Sequence, residues 1–325
     1  MQKRRRKAIK EVLINKNDSG QRLDKFLQKA LPSMPTSLLL KSIRKGRVKL
    51  NSKKLCDFRY VLNEGDVLSL YINDEFFEAS DDAQNFLKAP SEIDIVYEDE
   101  NILLVNKMAG LAVHDFDGSS FDTLINRIIH YLYKKGEYNP QSENSFVPAL
   151  CNRIDRNTCG IVIAAKNAEA LRIMNEQIKE RNVIKKYLCL VHGAPPKKED
   201  EVTVFLKKIN DKNICLVSDK KKNGYKTAVT KYKVLKKNHS FALLEVELKT
   251  GRTHQIRATF SHLGCALLGD GKYGVNYSED KRLGFKHQAL CSYYVGFNFK
   301  NAEALSYLDK KSFALSDVWF KNYID

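Results

Sequence analysis

Five consecutive apolar residues, Ile161-Val162-Ile163-Ala164-Ala165, directly follow a loop that carries Arg153-Ile154-Asp155-Arg156. The run is long enough for one buried strand and too short for a typical helix. A charged loop feeding such a strand holds its side chains at the edge of a rigid scaffold, where catalytic groups tend to sit. Asp155 is therefore a candidate catalytic acid. A structural ion pair with a neighbouring arginine would leave the same pattern, so spacing alone keeps both readings open.

The positive charge of the chain is unevenly placed. Residues 1–73 hold 18 Lys and Arg against 6 Asp and Glu, whereas the other 252 residues share 37 basic and 33 acidic groups. A basic field gathered at one end suits a module that grips a polyanion, and nucleic acid is the expected partner. An anionic membrane surface is the alternative, but no amphipathic basic helix supports it. With 325 residues the chain has room for two domains. Seven cysteines without a C-x-x-C pair argue against a zinc ribbon or redox motif, and reduced thiols in a reducing compartment are expected. The basic run Lys3–Lys7 lacks the apolar stretch of a signal peptide, and no segment of about 18 apolar residues exists, so a cytoplasmic protein with no membrane partner is expected.

Along the chain, residues 1–15 are expected to form a basic arm. Arg22 to Ala30 has helical spacing, with Leu23, Phe26, Leu27 and Ala30 on one face. Thr36 or Ser37 is expected to cap a second helix that Gly46 stops. Arg47 to Leu50 reads as a short strand, Asn51-Ser52 as a turn, and Gly65-Asp66 introduces a strand from Val67 to Ile72. Residues 16–75 thus resemble the alpha-L (S-four type) RNA-binding domain of a small-subunit ribosomal protein and many RNA-modifying enzymes. Arg22-Leu23-Asp24-Lys25-Phe26-Leu27, Ile43-Arg44-Lys45-Gly46-Arg47-Val48, Asn51 and Gly65-Asp66 carry the resemblance. It implies RNA contacts by Arg22, Lys25, Arg44, Lys45 and Arg47. The acidic stretch 76–90 reads as a linker, and residues 91–325 as a second domain mixing many strands with few helices.

Three strings of that domain bear on chemistry: Asn152-Arg153-Ile154-Asp155 with Thr158 and Gly160, Lys186-Tyr187-Leu188, and Thr250-Gly251-Arg252-Thr253-His254-Gln255-Ile256-Arg257. Together with Asn106-Lys107, Ala109-Gly110-Leu111 and Val113-His114, they resemble the RluA family of pseudouridine synthases. Asn152, Met108, Cys159 and Cys265-Ala266 depart from that family's usual residues. The resemblance implies an α+β pseudouridine synthase fold with a mainly antiparallel mixed sheet, behind a small N-terminal α+β RNA-binding domain. It also implies an isomerase that breaks a uridine's glycosidic bond, turns the base and rejoins it through C5, using no cofactor and no metal. By the same resemblance Asp155 is the catalytic group and Arg252 pairs with it. Tyr187 packs against the target base, and Arg153 fills the space that an extruded base vacates. The segment between Leu132 and Cys151 resembles large-subunit ribosomal RNA enzymes of the RluC type, and a monomer is expected. A transfer RNA enzyme of the same family remains an alternative.

Two rival classes have weaker support. Gly269 to Gly274 formally matches G-x-G-x-x-G, but no apolar-periodic helix follows in Val275 to Arg282, as a dinucleotide site requires. A non-catalytic RNA-binding protein would explain the basic module but not the strings around Asp155. His254 and His114 read as structural hydrogen-bonders rather than catalysts.

Overall fold

The computed structural model describes residues 10–55, 57–77, 81–115, 120–209, 211, 213–274 and 277–324. The basic run Lys3–Lys7 and Cys56 lie outside them. The described residues divide into two compact units.

The first unit draws on Met1–Glu92, Phe116–Ala149 and Ala165–Leu171. It contains β1 (Lys10–Leu13), α1 (Leu23–Ala30), α2 (Thr36–Arg44), β2 (Val48–Leu50), β3 (Lys53–Lys54), β4 (Val67–Leu70) and α3 (Leu124–Lys135). The strands form one sheet in the order β1-β4-β2-β3. β1 pairs antiparallel with β4 from Lys10↔Leu70 to Leu13↔Val67. The arm expected over residues 1–15 therefore loses its last residues to the sheet. The alternation of buried Val12 and Ile14 with exposed neighbours is too short to stand out in a basic context. Leu23, Phe26 and Leu27 of α1 meet Leu39 and Ile43 of α2 and Leu68 and Leu70 of β4 in a buried core. Full burial of such side chains stabilises by about 1.5–3 kcal/mol each.

Asn51 and Ser52 both take positive φ, 48° and 67°, as the two central residues of the β2–β3 hairpin. Asn51 also donates from Nδ2 to Asp66 Oδ1 at 2.9 Å and accepts from Val67 N at 2.9 Å. That bond explains why Asn51 and Asp66 occur together. Pro35, not Thr36 or Ser37, precedes α2, and no side-chain cap is made there. Proline at this position presets the entry backbone through its fixed φ. The segment expected as a linker holds a 3-10 stretch, Asp81–Lys88, whose Phe86 is buried edge-on against Tyr133 and Tyr138.

The second unit draws on Ile93–Asp115, Leu150–Ala164 and Arg172–Asp325. It holds, in whole or in part, β5 (Ile95–Glu98), β6 (Ile102–Lys107), β7 (Ala149–Leu150), β8 (Cys159–Ala165), α4 (Ala168–Lys179), β9 (Val183–His192), β10 (Glu199–Ile209), β11 (Ile214–Ser218), β12 (Lys226–Lys237), β13 (Phe241–Leu248), α5 (Gln255–His262), α6 (Tyr277–Arg282), β14 (Leu290–Phe297) and β15 (Ser312–Ala314). One sheet runs β11-β10-β12-β13-β9-β14-β8-β6-β5, with β7 on β8 and β15 on β14. The pairs from β11 to β14 are antiparallel, and β14 meets β8 in parallel at Cys291↔Cys159. This is the α+β, mainly antiparallel architecture expected. The run 161–165 is wholly buried in β8, which explains its unbroken apolar character. A helix does follow Gly274, but α6 is short and its sequence is mostly charged.

Candidate active site

The loop before β8 is tied down at both ends. Cys151 N donates to Ile163 O and Ile163 N donates to Asn152 Oδ1, each at 2.8 Å. Thr158 N returns to Asp155 O at 3.0 Å, and the Thr158 hydroxyl accepts from Gln288 Nε2 at 2.9 Å. Gly160 has φ +109°, and a Cβ there would sit 2.3 Å from Ser292 O, so only glycine lets β8 lie against β14.

Lys107, from the Asn106–Leu111 string, lies beneath this loop. Its buried Nζ donates to Met108 O and Leu111 O at 2.8 Å and to Arg156 O at 2.9 Å. Burial lowers its pKa to about 8, and the three carbonyls supply the partners a desolvated ammonium needs. Arg156 Nε and Gly110 N complete the clamp, donating to Gly110 O and Arg156 O at 2.9 Å. The carboxylate one residue earlier is thus presented from a braced backbone.

The partner of that carboxylate comes from α5. Arg257 Nη1 donates to Asp155 Oδ2 at 2.9 Å. Its Nε and Nη2 form a two-pronged contact with Asp270 at 2.7 and 2.8 Å. Burial works to lower the Arg257 pKa, but Asp270 and Asp155 outweigh it and hold the guanidinium above its ordinary value. Burial likewise pushes Asp270 up, and Arg257 pulls it below the usual carboxylate range. Asp270 also accepts from Lys272 N and Tyr273 N at 2.9 and 3.1 Å. The glycine-rich loop 269–274 therefore aims backbone donors at its own carboxylate, not at a phosphate.

Gln255 anchors the other half of the Gly251–Arg257 string. Its Oε1 accepts from Thr250 Oγ1 and Arg252 N, while Nε2 donates to Val229 O and Thr230 Oγ1, all at 2.9–3.0 Å. His254 takes a left-handed conformation, φ 52°, just before α5. Its Nδ1 lies 2.9 Å from the Tyr273 hydroxyl and its Nε2 3.8 Å from Asp155 Oδ2. Burial lowers its pKa to about 4, so it is neutral near pH 7 and its contact with Asp155 is not an ion pair.

A cavity of about 740 Å³ opens here, within the range of small-ligand sites. Asp155, Tyr187, Arg153, Arg252, His254 and Arg257 all line it. Tyr187 is buried, and burial raises its phenol pKa to about 12, with Asp155 adding to the shift. The expected pairing of Arg252 with Asp155 is corrected by the geometry. Arg252 is exposed and its Nε donates to Thr227 O at 3.0 Å, while Arg257 holds the carboxylate. The turn at His254 separates the two arginines, and only the second enters the helix and points inward. Arg257, Asp270 and Lys107 lie in the motif strings or beside them, but no periodicity distinguishes them. Of the cations expected to meet RNA, Arg22 is paired with Asp24 at 2.7 Å and Lys25 donates to Gln28 at 3.3 Å. Arg44 and Lys45 are exposed and Arg47 is half-buried. Lys54 packs its stem against Gly46 and joins them.

Comparison with known proteins decides the family. Residues 101–262 match the RNA pseudouridylate synthase family. An "uncharacterized RNA pseudouridine synthase" of Mycoplasma capricolum is 32% identical over 317 residues, covering 95% of this chain and 98% of that protein.

The chain belongs to the RNA pseudouridylate synthase family.

The synthase is accordingly an isomerase acting on RNA. It is also 32% identical over 325 residues to ribosomal large subunit pseudouridine synthase C of Buchnera aphidicola from Acyrthosiphon pisum, covering 98% of this chain and 97% of that one. Human RNA pseudouridylate synthase domain containing 1 shares the fold, with a TM-score of 0.56 at 21% identity over 72% of the synthase and 87% of the human chain. Among the described residues no helix is long and apolar enough to cross a membrane.

Proposed function

We propose that the synthase isomerises uridines of large-subunit ribosomal RNA, with Asp155 as the group that meets C1′ of an extruded nucleotide. One observation carries the role of Asp155. Its Oδ2 is held by Arg257, its Oδ1 takes no hydrogen bond from the described residues, and the cavity it lines also holds Tyr187. Breaking the N1–C1′ bond leaves positive charge on C1′, which an adjacent carboxylate oxygen stabilises or captures. The uracil ring turns, C5 bonds to C1′, and the proton lost from C5 is matched by one gained at N1. The atoms balance without a cofactor, and a site that excludes water favours rejoining over hydrolysis. Tyr187, kept protonated, offers an uncharged ring face to the base. Arg153, exposed on the same loop, is positioned to fill the vacated stack.

The ribosomal target rests on relatives named ribosomal large subunit pseudouridine synthase C that match nearly end to end. Residues 16–75 act as an alpha-L-type grip on RNA through Arg44, Lys45 and Arg47, with Arg22 and Lys25 secondary because each already has a partner. The synthase works as a monomer in the cytoplasm, and its free described cysteines suit a reducing compartment. Pseudouridine mapping of ribosomal and transfer RNA from cells with the gene, without it, and with Asp155→Ala tests the reading. Loss of the same ribosomal sites in the last two strains is expected. Sites that persist in the Asp155→Ala strain would remove Asp155 from the chemistry, and lost transfer RNA sites would move the target.

A further inference from the structure

The cavity wall carries seven Lys and Arg side chains against two carboxylates. Both acids are already committed, Asp155 to Arg257 and Glu247 to Lys249 at 2.5 Å. The surplus is sharpest at the start of β9 and the turn before it. Lys185 and Lys186 are neighbours on a strand, so their side chains leave opposite faces. Lys186 is satisfied on one face, with Glu245 at 3.2 Å and the Tyr294 ring 5.5 Å away. Lys185 shares the cavity face with Tyr187, two residues on, and makes no side-chain hydrogen bond or ion pair among the described residues. It is nonetheless half-buried, and burial lowers its pKa. A desolvated ammonium without an acid is costly unless an anion arrives to meet it. Lys179 and Arg181, exposed at the end of α4 and just beyond, line the same wall and also lack side-chain partners there.

We propose that Lys185, with Lys179 and Arg181 at the rim, seats a phosphate adjoining the ribose of the nucleotide whose base enters against Tyr187. The site then recognises a nucleotide rather than a nucleoside. Two residues along a strand span about 6.7 Å, the order of the separation between a nucleobase and the phosphate of its own nucleotide. Lys185 is thus a positioning residue that registers the target uridine over Asp155, and the inference rests on the reading of this cavity as the uridine site.

Calorimetric titration of the full-length protein with uridine, uridine 5′-monophosphate and uridine 3′-monophosphate tests it. The wild type is expected to bind at least one monophosphate roughly tenfold tighter than the nucleoside, the ratio one charge-assisted contact sustains. Lys185→Gln should erase that ratio, and Lys185→Arg, which keeps the charge, should retain most of it. On large-subunit ribosomal RNA transcripts the loss in Lys185→Gln should fall on KM rather than kcat, with an unchanged melting temperature. Equal binding of all three ligands by the wild type, binding of none, or a preference that survives Lys185→Gln overturns the seat. Those outcomes in a protein that still forms pseudouridine leave the functional reading standing. A Lys185-dependent preference in a protein inactive on every transcript does the reverse.

Discussion

The Asp155–Arg257–Asp270 centre and the basic turn around Gly46 handle charge in opposite ways. In the first, Arg257 and Asp270 are buried, Asp155 is partly exposed, and each charge is matched by a named partner within 3 Å. In the second, Arg44 and Lys45 stand in solvent with no ion-pair partner among the described residues. Low dielectric makes the first arrangement strong when complete and severe when broken. Water and salt make the second nearly neutral for stability, and useful only once a polyanion displaces counterions. The same residue types therefore serve geometry in one region and attraction in the other.

The contrast is most easily broken at Asp270. Asp270→Ala leaves the Arg257 guanidinium short of a buried partner, and a loss of about 3–5 kcal/mol in denaturant-derived stability is expected. A loss below about 1 kcal/mol would mean that the pair is not desolvated as the structure has it. Arg257→Lys comes next. A lysine keeps the charge but not the two-pronged fork, so kcat should fall on the order of a hundredfold. Arg252→Lys should cost far less, and a reversed ranking would restore Arg252 as the partner of Asp155. Replacing Arg44, Lys45 and Arg47 together by Gln should leave the melting temperature alone. It should flatten the slope of log affinity against log salt by roughly 2–3, about 0.7–0.9 for each phosphate that is no longer neutralised. An unchanged slope would take the grip away from this turn.

The smallest effect concerns His254, whose pKa is about 4 when folded and near 6.5 when unfolded. Between those values the unfolded chain binds a proton that the folded chain refuses, so stability falls as pH drops from about 6.5 towards 4. Comparing the wild type with His254→Asn across that window isolates the contribution. Parallel pH profiles would show that His254 takes up its proton without penalty.

Much of the fold was legible from local pattern. Leu23, Phe26 and Leu27 marked α1, and the unbroken run 161–165 marked a strand covered on both faces. The misses have local causes too. β1 hid inside a basic tail because four residues carry too little alternation to outweigh their neighbours. The stretch 76–90 read as a spacer because its acids stand out locally, whereas the packing of Phe76, Phe77 and Phe86 shows only in the fold. At the site, the strings around residues 155, 187 and 252–257 meet at one cavity, and the one around 107 braces the loop beside it. Which side chain does what within each string was a separate matter. Lys107 looked like any strand-end lysine until three carbonyls closed on it.

By itself the sequence determined the candidate acid, the strand that follows its loop and the family, because these depend on side-chain types and on spacings within a few residues. Which arginine steadies the acid was decided by tertiary structure alone. Arg252 and Arg257 are five residues apart and chemically identical. Asp155 lies about a hundred residues away, so only the placing of α5 beside the β8 loop, with the left-handed turn at His254 between the two arginines, turns one inward to an acid and leaves the other in solvent. A guanidinium's role follows from the dielectric and partners around it, and those are supplied by segments remote in the chain.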